Sequence, residues 1–131
     1  MDYQNILLEQ REPGIWLLTV NRPRSLNALN SQTLEEIAAA VAQVGADAAA
    51  RVLLVTGAGE KAFVAGADIS QMQAFSALDA QRFSQKGIAT MRSVEELGIP
   101  AIALVNGYAL GGRSEEHTSE LQSRETISYA V

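Results

Sequence analysis

Residues 52–56 read VLLVT and residues 101–105 read AIALV, two continuous apolar runs of strand length. A third run, IWLLTV at residues 15–20, is stopped by the NRP of residues 21–23. Short runs with β-branched residues and no polar alternation are typical of strands that are covered on both faces. We therefore predict three buried strands at these positions.

Two amphipathic helices are predicted between these strands. The first begins at Asn30 or Ser31 and ends at Gly45. Its apolar positions follow the helical i, i+3, i+4, i+7 spacing and are Leu34, Ile37, Ala38, Val41 and Val44. The second helix ends at residues 98–100. Its apolar stripe is formed by Phe83, Gly87, Met91 and Val94. Because strands alternate with helices, we predict an α/β fold with a parallel sheet.

The composition is that of an ordinary globular chain. Of 131 residues, 47% are hydrophobic and 19% are charged, which excludes a disordered chain. The net charge of −5 argues against binding to a phosphate backbone, so we expect no nucleic-acid partner. No apolar run reaches the ~18 residues of a membrane span, and the first residues lack a signal-peptide pattern. We therefore expect no membrane partner and a cytoplasmic location.

Two glycine-containing turns are the candidates for chemistry. Residues 1–112 contain no histidine or cysteine, which excludes a Ser-His-Asp triad, thiol catalysis and a zinc site. The turns follow predicted strands, at residues 57–68 (GAGEKAFVAGAD) and 106–112 (NGYALGG). Their small residues either serve tight turns or let two backbone amides meet one oxygen atom, as in an oxyanion hole. Spacing alone favours the first interpretation, because glycine-rich turns are common.

Three sequence blocks are more specific when taken together. NRP and NAL within residues 21–29, KAFVAGADI at residues 61–69 and PAIALVNGYALGG at residues 100–112 occur in this order. Across residues 1–112 the chain resembles the enoyl-CoA hydratase/isomerase (crotonase) superfamily. The resemblance implies a crotonase-like spiral of ββα units, truncated after the third to fourth unit. It also implies acyl-CoA thioester substrates, no cofactor beyond the CoA of the substrate, and a homotrimeric or hexameric parent protein.

The resemblance also implies a set of site residues. The backbone amides of Ala67 and Gly112 would bind the thioester oxygen as the two donors of an oxyanion hole. Further positions would contact the substrate, namely Leu26, Ala28, Ala65, Gly66, Asp68, Ile69 and Gly111. For Asp68, capping of the following helix is the favoured alternative.

Several other side chains have simpler interpretations. Arg22 and Arg24 could meet CoA phosphates, although single surface arginines usually have no such role. Glu35 and Glu36 fall on the first predicted helix and are interpreted as a solvent-exposed pair. Trp16 lies within a predicted strand and is expected in the core.

The sequence departs from the family pattern at residue 113. Residues 113–123, RSEEHTSELQS, resemble the in-frame translation of a sequencing adapter. We therefore interpret residues 1–112 as the N-terminal part of a crotonase-like domain and residues 113–131 as a non-native tail. Glu115 stands at the position of a glutamate of the family, but it is not assigned a catalytic role, because it lies in this non-native tail.

The resemblance favours a parent protein that is a lyase hydrating 2-enoyl-CoA thioesters in fatty-acid metabolism. An enoyl-CoA isomerase, another CoA-thioester member of the superfamily, or a noncatalytic binding protein with the same fold are the alternatives. A hydratase needs carboxyl groups that activate water and deliver a proton. In the family these glutamates follow the position of Gly112, so we expect the 131-residue chain by itself to be inactive.

Overall fold

The fold is seen in a computed structural model that describes residues 3–59, 62–64, 66–105, 108–109 and 127–130. Two helices are long, α1 (Ser31–Gly45) and α3 (Ala77–Glu95), and two are short, α2 (Ile69–Met72) and a 3₁₀ turn (Pro23–Ser25). The strands are β1 (Ile6–Glu12), β2 (Ile15–Val20), β3 (Val52–Gly57), β4 (Ala62–Val64), β5 (Ala101–Val105), β6 (Tyr108–Ala109) and β7 (Ile127–Ala130).

The three predicted strands form the centre of a five-stranded sheet with the order β1-β2-β3-β5-β7. β2, β3 and β5 pair in parallel, as the alternation of strands and helices predicted. β1 was not predicted, because its sequence ILLEQRE is apolar only at one end. It pairs antiparallel with β2. The turn between them needs Gly14, which has φ +83° and whose added Cβ would lie 2.8 Å from the Ala49 carbonyl oxygen.

Helix α1 covers one face of this sheet and begins where the sequence predicted. Asn30 is its N-cap, and the side-chain Oδ1 accepts a hydrogen bond from the Thr33 amide at 2.8 Å. The buried core lies between α1 and the sheet, with part of α3 against it. Its members are Ile6, Leu18, Val20, Ala40, Val41, Val44, Leu53, Val94 and Ala101.

Helix α3 has a different buried face from the one predicted. Thr90 and Val94 are buried, whereas Met91 is 52% exposed, so the prediction of Met91 in the stripe was wrong. Both Thr90 and Met91 lie about one turn beyond Gly87. Thr90 takes the inner position, where its hydroxyl donates to the Leu34 carbonyl oxygen of α1 at 3.4 Å.

Two further side chains pack differently from their interpretation in the sequence. Glu36 is not simply solvated: its carboxylate accepts hydrogen bonds from the backbone amides of Gln4 and Asn5, at 2.8 and 2.9 Å, and so holds the start of the chain against α1. Trp16 is half-buried against the core, and its indole Nε1 donates to Asp47 Oδ2 at 3.0 Å. The polar edge of this ring explains why it is not fully enclosed.

A second, two-stranded sheet brings the two glycine-containing turns together. β4 and β6 pair in parallel, with Ala62 opposite Tyr108 and Val64 opposite Ala109. The carboxyl ends of two parallel neighbours lie at the same edge. The segment that follows β4 contains Ala67, and the segment that follows β6 contains residues 110–112, which lie outside the described residues.

The far edge of the main sheet is occupied by β7, which pairs antiparallel with β5. No strand was predicted there, since residues 113–131 were interpreted as a non-native tail. The division of the chain at residue 112 stays a prediction. Within the described ranges, no helix is both long and apolar enough to cross a membrane.

The position of two leucines predicts a large difference in how much their substitution lowers the free energy of unfolding. Leu53 is fully buried in β3, whereas Leu7 is 50% exposed in β1. Leu53→Ala is expected to lower the free energy of unfolding by about 2–5 kcal/mol, since it removes buried methyl groups and leaves a cavity. The matched control Leu7→Ala should cost less than about 1 kcal/mol. Urea unfolding measures both, and equal losses would contradict this account of the core.

Candidate active site

A left-handed turn shapes the loop after β2. Leu26 and Asn27 have φ values of +53° and +56°, a conformation that costs a non-glycine residue energy but that asparagine tolerates best. Asn27 is fully buried. Its side chain accepts from the Arg22 amide at 2.8 Å and donates to the Ala58 carbonyl oxygen at 3.0 Å. These bonds stabilise the turn and attach it to the segment after β3.

An isolated parallel bridge joins this loop to the Ala67 segment. The Leu29 amide donates to the Gly66 carbonyl oxygen at 2.7 Å, and the Asp68 amide donates to the Leu29 carbonyl oxygen at 2.9 Å. In such a bridge the residue between the two bonded positions directs its own N–H away from the partner. Ala67 is exposed, and its amide donates to no residue in the described part of the chain. The Ala67 N–H is thus left without a partner among the described residues, and its role as an oxyanion donor stays a prediction.

Arg22 and Asp68 form an ion pair between the same two segments. Arg22 Nη2 lies 3.1 Å from Asp68 Oδ2, and their side chains are only 16% and 12% exposed. Arg22 Nη1 donates to the Ala28 carbonyl oxygen. Arg22 is therefore neither an ordinary surface arginine nor a side chain free to meet a CoA phosphate, and the sequence did not reveal this pairing.

Asp68 also caps the short helix α2, which confirms the favoured interpretation from the sequence. Its Oδ1 accepts from the Ser70 amide at 3.0 Å and from the Ser70 hydroxyl at 2.6 Å. The hydrogen bond from Ser70 lowers the pKa of the Asp68 carboxyl below its usual value, burial opposes this, and Arg22 lowers it further. Asp68 is thus ionised at neutral pH with both oxygens bonded inside the protein.

The structure brings together the described members of the predicted substrate-contact set. Leu26 is 42% exposed and Ile69 is 71% exposed, so the joined loops present apolar side chains to solvent. Ala28 is buried, and Gly66 adopts φ +94°, which a side chain would disfavour. Ala65, Gly111 and Gly112 lie outside the described residues. In the described part of the chain, no three His, Asp or Glu side chains gather as a metal site would need.

A further feature of the site was missed in the sequence. Asn27 was noted only as one letter of a motif, yet it is the buried polar residue that orders the loop. The signal was present as an asparagine after a leucine in a turn, because asparagine is enriched in the left-handed conformation. The Arg22–Asp68 pair had no local signal, since its partners are 46 positions apart.

The fold is similar to the folds of solved enoyl-CoA hydratases. The structure matches an enoyl-CoA hydratase from Bacillus anthracis with a TM-score of 0.80 and 35% identity, covering 92% of this chain and 44% of that one. A profile of the enoyl-CoA hydratase/isomerase family matches residues 10–115. The chain belongs to this family, and the resemblance and the fold predicted from the sequence are confirmed.

Two curated relatives show the same coverage. The chain is 49% identical over 115 residues to a crotonyl-CoA hydratase of Syntrophomonas wolfei. It is 44% identical over 115 residues to a short-chain-enoyl-CoA hydratase of Clostridium acetobutylicum. Each match covers 88% of this chain and 44% of the relative. The chain thus spans less than half the length of these relatives.

The Asp68 carboxylate gives the stability of the chain a pH dependence. Its pKa is lower in the folded protein than in the unfolded chain. The ionised form therefore stabilises the fold above the unfolded pKa of about 3.9, and this stability is lost as pH falls through the folded pKa. Asp68→Asn should lower the free energy of unfolding at neutral pH and have a smaller effect below about pH 4.

Urea unfolding of the two proteins across this pH range measures the effect. A difference between them that stays constant from neutral to acid pH would show that the charge of Asp68 contributes nothing to stability.

Proposed function

We propose that the protein to which this chain belongs is a lyase that hydrates 2-enoyl-CoA thioesters. The observation that carries the proposal is the exposed Ala67 amide, which lies on a loop held by the bridge to Leu29. Family membership supports it, as do relatives named crotonyl-CoA hydratase and short-chain-enoyl-CoA hydratase. Short 2-enoyl chains are accordingly the proposed substrates.

The chemistry explains why a backbone donor matters. When water adds across the double bond, its oxygen bonds to the β-carbon, and electrons move onto the thioester oxygen to give an enolate. A proton then reaches the α-carbon, and the water gives up one of its own protons. An N–H aimed at the thioester oxygen stabilises this charge by roughly 3 kcal/mol per donor. We propose the Ala67 amide as one donor and the Gly112 amide as the other.

The pairing of β4 with β6 supports this choice of donors. These strands are parallel neighbours, so their carboxyl ends lie at one edge of the sheet. In sequence, Ala67 follows the first strand and residues 110–112 follow the second. The exposed side chains of Leu26 and Ile69 and the backbone at Ala65, Gly66 and Gly111 are proposed to surround the thioester. Asp68 is proposed to hold the loop in place rather than to react, since both its oxygens are already bonded.

The remaining parts of the proposal concern the whole protein. The proton transfers require carboxyl groups, and we assign none of the described residues to them. No cofactor is needed in this scheme, because the CoA group is part of the substrate. We propose a homotrimer or hexamer in the cytoplasm, without nucleic-acid or membrane partners.

A chimera tests the proposed activity. Residues 1–112 are joined to the part of the Syntrophomonas wolfei crotonyl-CoA hydratase that follows the residue aligned with Gly112, and the loss of crotonyl-CoA is followed. We expect measurable hydration. Absence of hydration together with conversion of a 3-enoyl-CoA to the 2-enoyl isomer would instead indicate an isomerase, the second reaction in the description of the family.

Two substitutions in the chimera test the role of the Ala67 amide. Ala67→Pro removes the N–H and should lower kcat by about 10²- to 10³-fold, while binding of CoA alone is retained. Ala67→Gly keeps the N–H and serves as the matched control, with most of the rate preserved. Equal rates for the proline and glycine variants would exclude the Ala67 amide as a donor.

A further inference from the structure

The Ala67 amide is the last member of a continuous chain of backbone hydrogen bonds. The peptide group that contains the Ala67 N–H also contains the Gly66 carbonyl, and this carbonyl accepts from the Leu29 amide at 2.7 Å. Because a trans peptide is planar, its N–H and C=O point in opposite directions. The bond to Gly66 therefore sets the direction in which the Ala67 N–H points.

The same relation holds one step further back. The Leu29 N–H belongs to the peptide group that contains the Ala28 carbonyl, and that carbonyl accepts from Arg22 Nη1. The series of hydrogen bonds thus begins at the Arg22 guanidinium, passes through the peptide group of residues 28–29 and then that of residues 66–67, and ends at the Ala67 N–H. A positive charge at one end of such a chain polarises each peptide group and makes the terminal N–H a stronger donor.

The second arm of Arg22 holds the other side of the same loop. Its Nη2 lies 3.1 Å from Asp68 Oδ2, and the Asp68 amide donates to the Leu29 carbonyl oxygen. The peptide groups on both sides of Ala67 are therefore tied to the segment that Arg22 stabilises. A planar guanidinium reaches two acceptors at once, whereas a lysine ammonium acts as a single point charge.

We propose that Arg22 is a positioning residue for the Ala67 amide, acting through the peptide groups of residues 28–29 and 66–67 to fix the direction of this N–H and to strengthen it as a donor. The inference rests on the proposed function, in which that N–H binds the thioester oxygen. It assigns Arg22 no contact with the substrate.

Hydrogen exchange in the 131-residue chain tests the positioning role without any ligand. Arg22→Gln should speed exchange of the Leu29 and Asp68 amides by about tenfold or more, because it removes charge-assisted hydrogen bonds. The Leu53 amide, which donates to the Pro100 carbonyl oxygen in the core, should keep its rate. An equal increase at all three amides would mean that Arg22 only stabilises the fold, and would overturn the inference.

Two further variants separate geometry from charge. Arg11→Gln is the matched control, since it removes a guanidinium from an exposed ion pair with Glu9 and should leave all three amides unchanged. Arg22→Lys keeps the charge but cannot hold two acceptors, and should restore only part of the protection. If the amides exchange as slowly in the lysine variant as in the unsubstituted chain, the claim that Arg22 must bond to two acceptors is overturned.

A titration followed by NMR links the inference to the proposed function. In the unsubstituted chain, crotonyl-CoA should move the Ala67 amide proton further downfield than CoA alone does, because only the former carries the thioester oxygen. Arg22→Gln should reduce this difference at saturating crotonyl-CoA, and an undiminished difference would overturn the inference. If crotonyl-CoA and CoA act alike on the unsubstituted chain, the proposed function fails, and the exchange rates still decide the role of Arg22.

Discussion

The parallel pairing of β2 with β3 brings together the loops that carry the described residues of the candidate site. Val20, the last residue of β2, is opposite Gly57, the last residue of β3, so the loops after both strands begin side by side. The first contact between them is backbone to backbone, from the Ala58 amide to the Val20 carbonyl oxygen at 2.8 Å. The bonds of Asn27, the bridge at Leu29 and the Arg22–Asp68 pair all follow from this adjacency.

A site built from peptide groups places special demands on the structure around it. A side-chain donor can be aimed by its own rotamer, whereas an N–H is aimed only through the peptide plane to which it belongs. In this chain the plane that carries the Ala67 N–H is fixed by the bond between Leu29 and Gly66. The buried charges nearby stabilise the same loops. Arg22 and Asp68 compensate each other's charge, and each also bonds to backbone groups of the loops.

The sequence predicted the elements that depend on local pattern and failed where long-range contacts decide. The predictions of a strand at residues 15–20 and of Asn30 as a helix cap were correct, because apolar runs and N-cap residues act locally. The prediction that Met91 lies in the buried stripe of α3 was wrong, since periodicity does not distinguish which of two adjacent positions faces α1. The interpretation of Glu36 as part of a solvent-exposed pair was wrong, because its carboxylate bonds to backbone amides 31 and 32 positions away. No local pattern shows such a contact.

The sequence by itself determined the class of fold and the family, and it predicted a donor at Ala67, because apolar runs and motifs can be recognised from the order of residues along the chain. Only the tertiary structure decided what holds that donor in place. Arg22, Asn27 and Leu29 each bond to a residue that is distant in sequence, namely Asp68, Ala58 and Gly66. These segments meet because parallel strands end at one edge of the sheet. These pairs form only when the fold brings the segments together. A hydrogen bond between two backbone groups does not constrain which side chains the two residues carry, so the sequence does not show it.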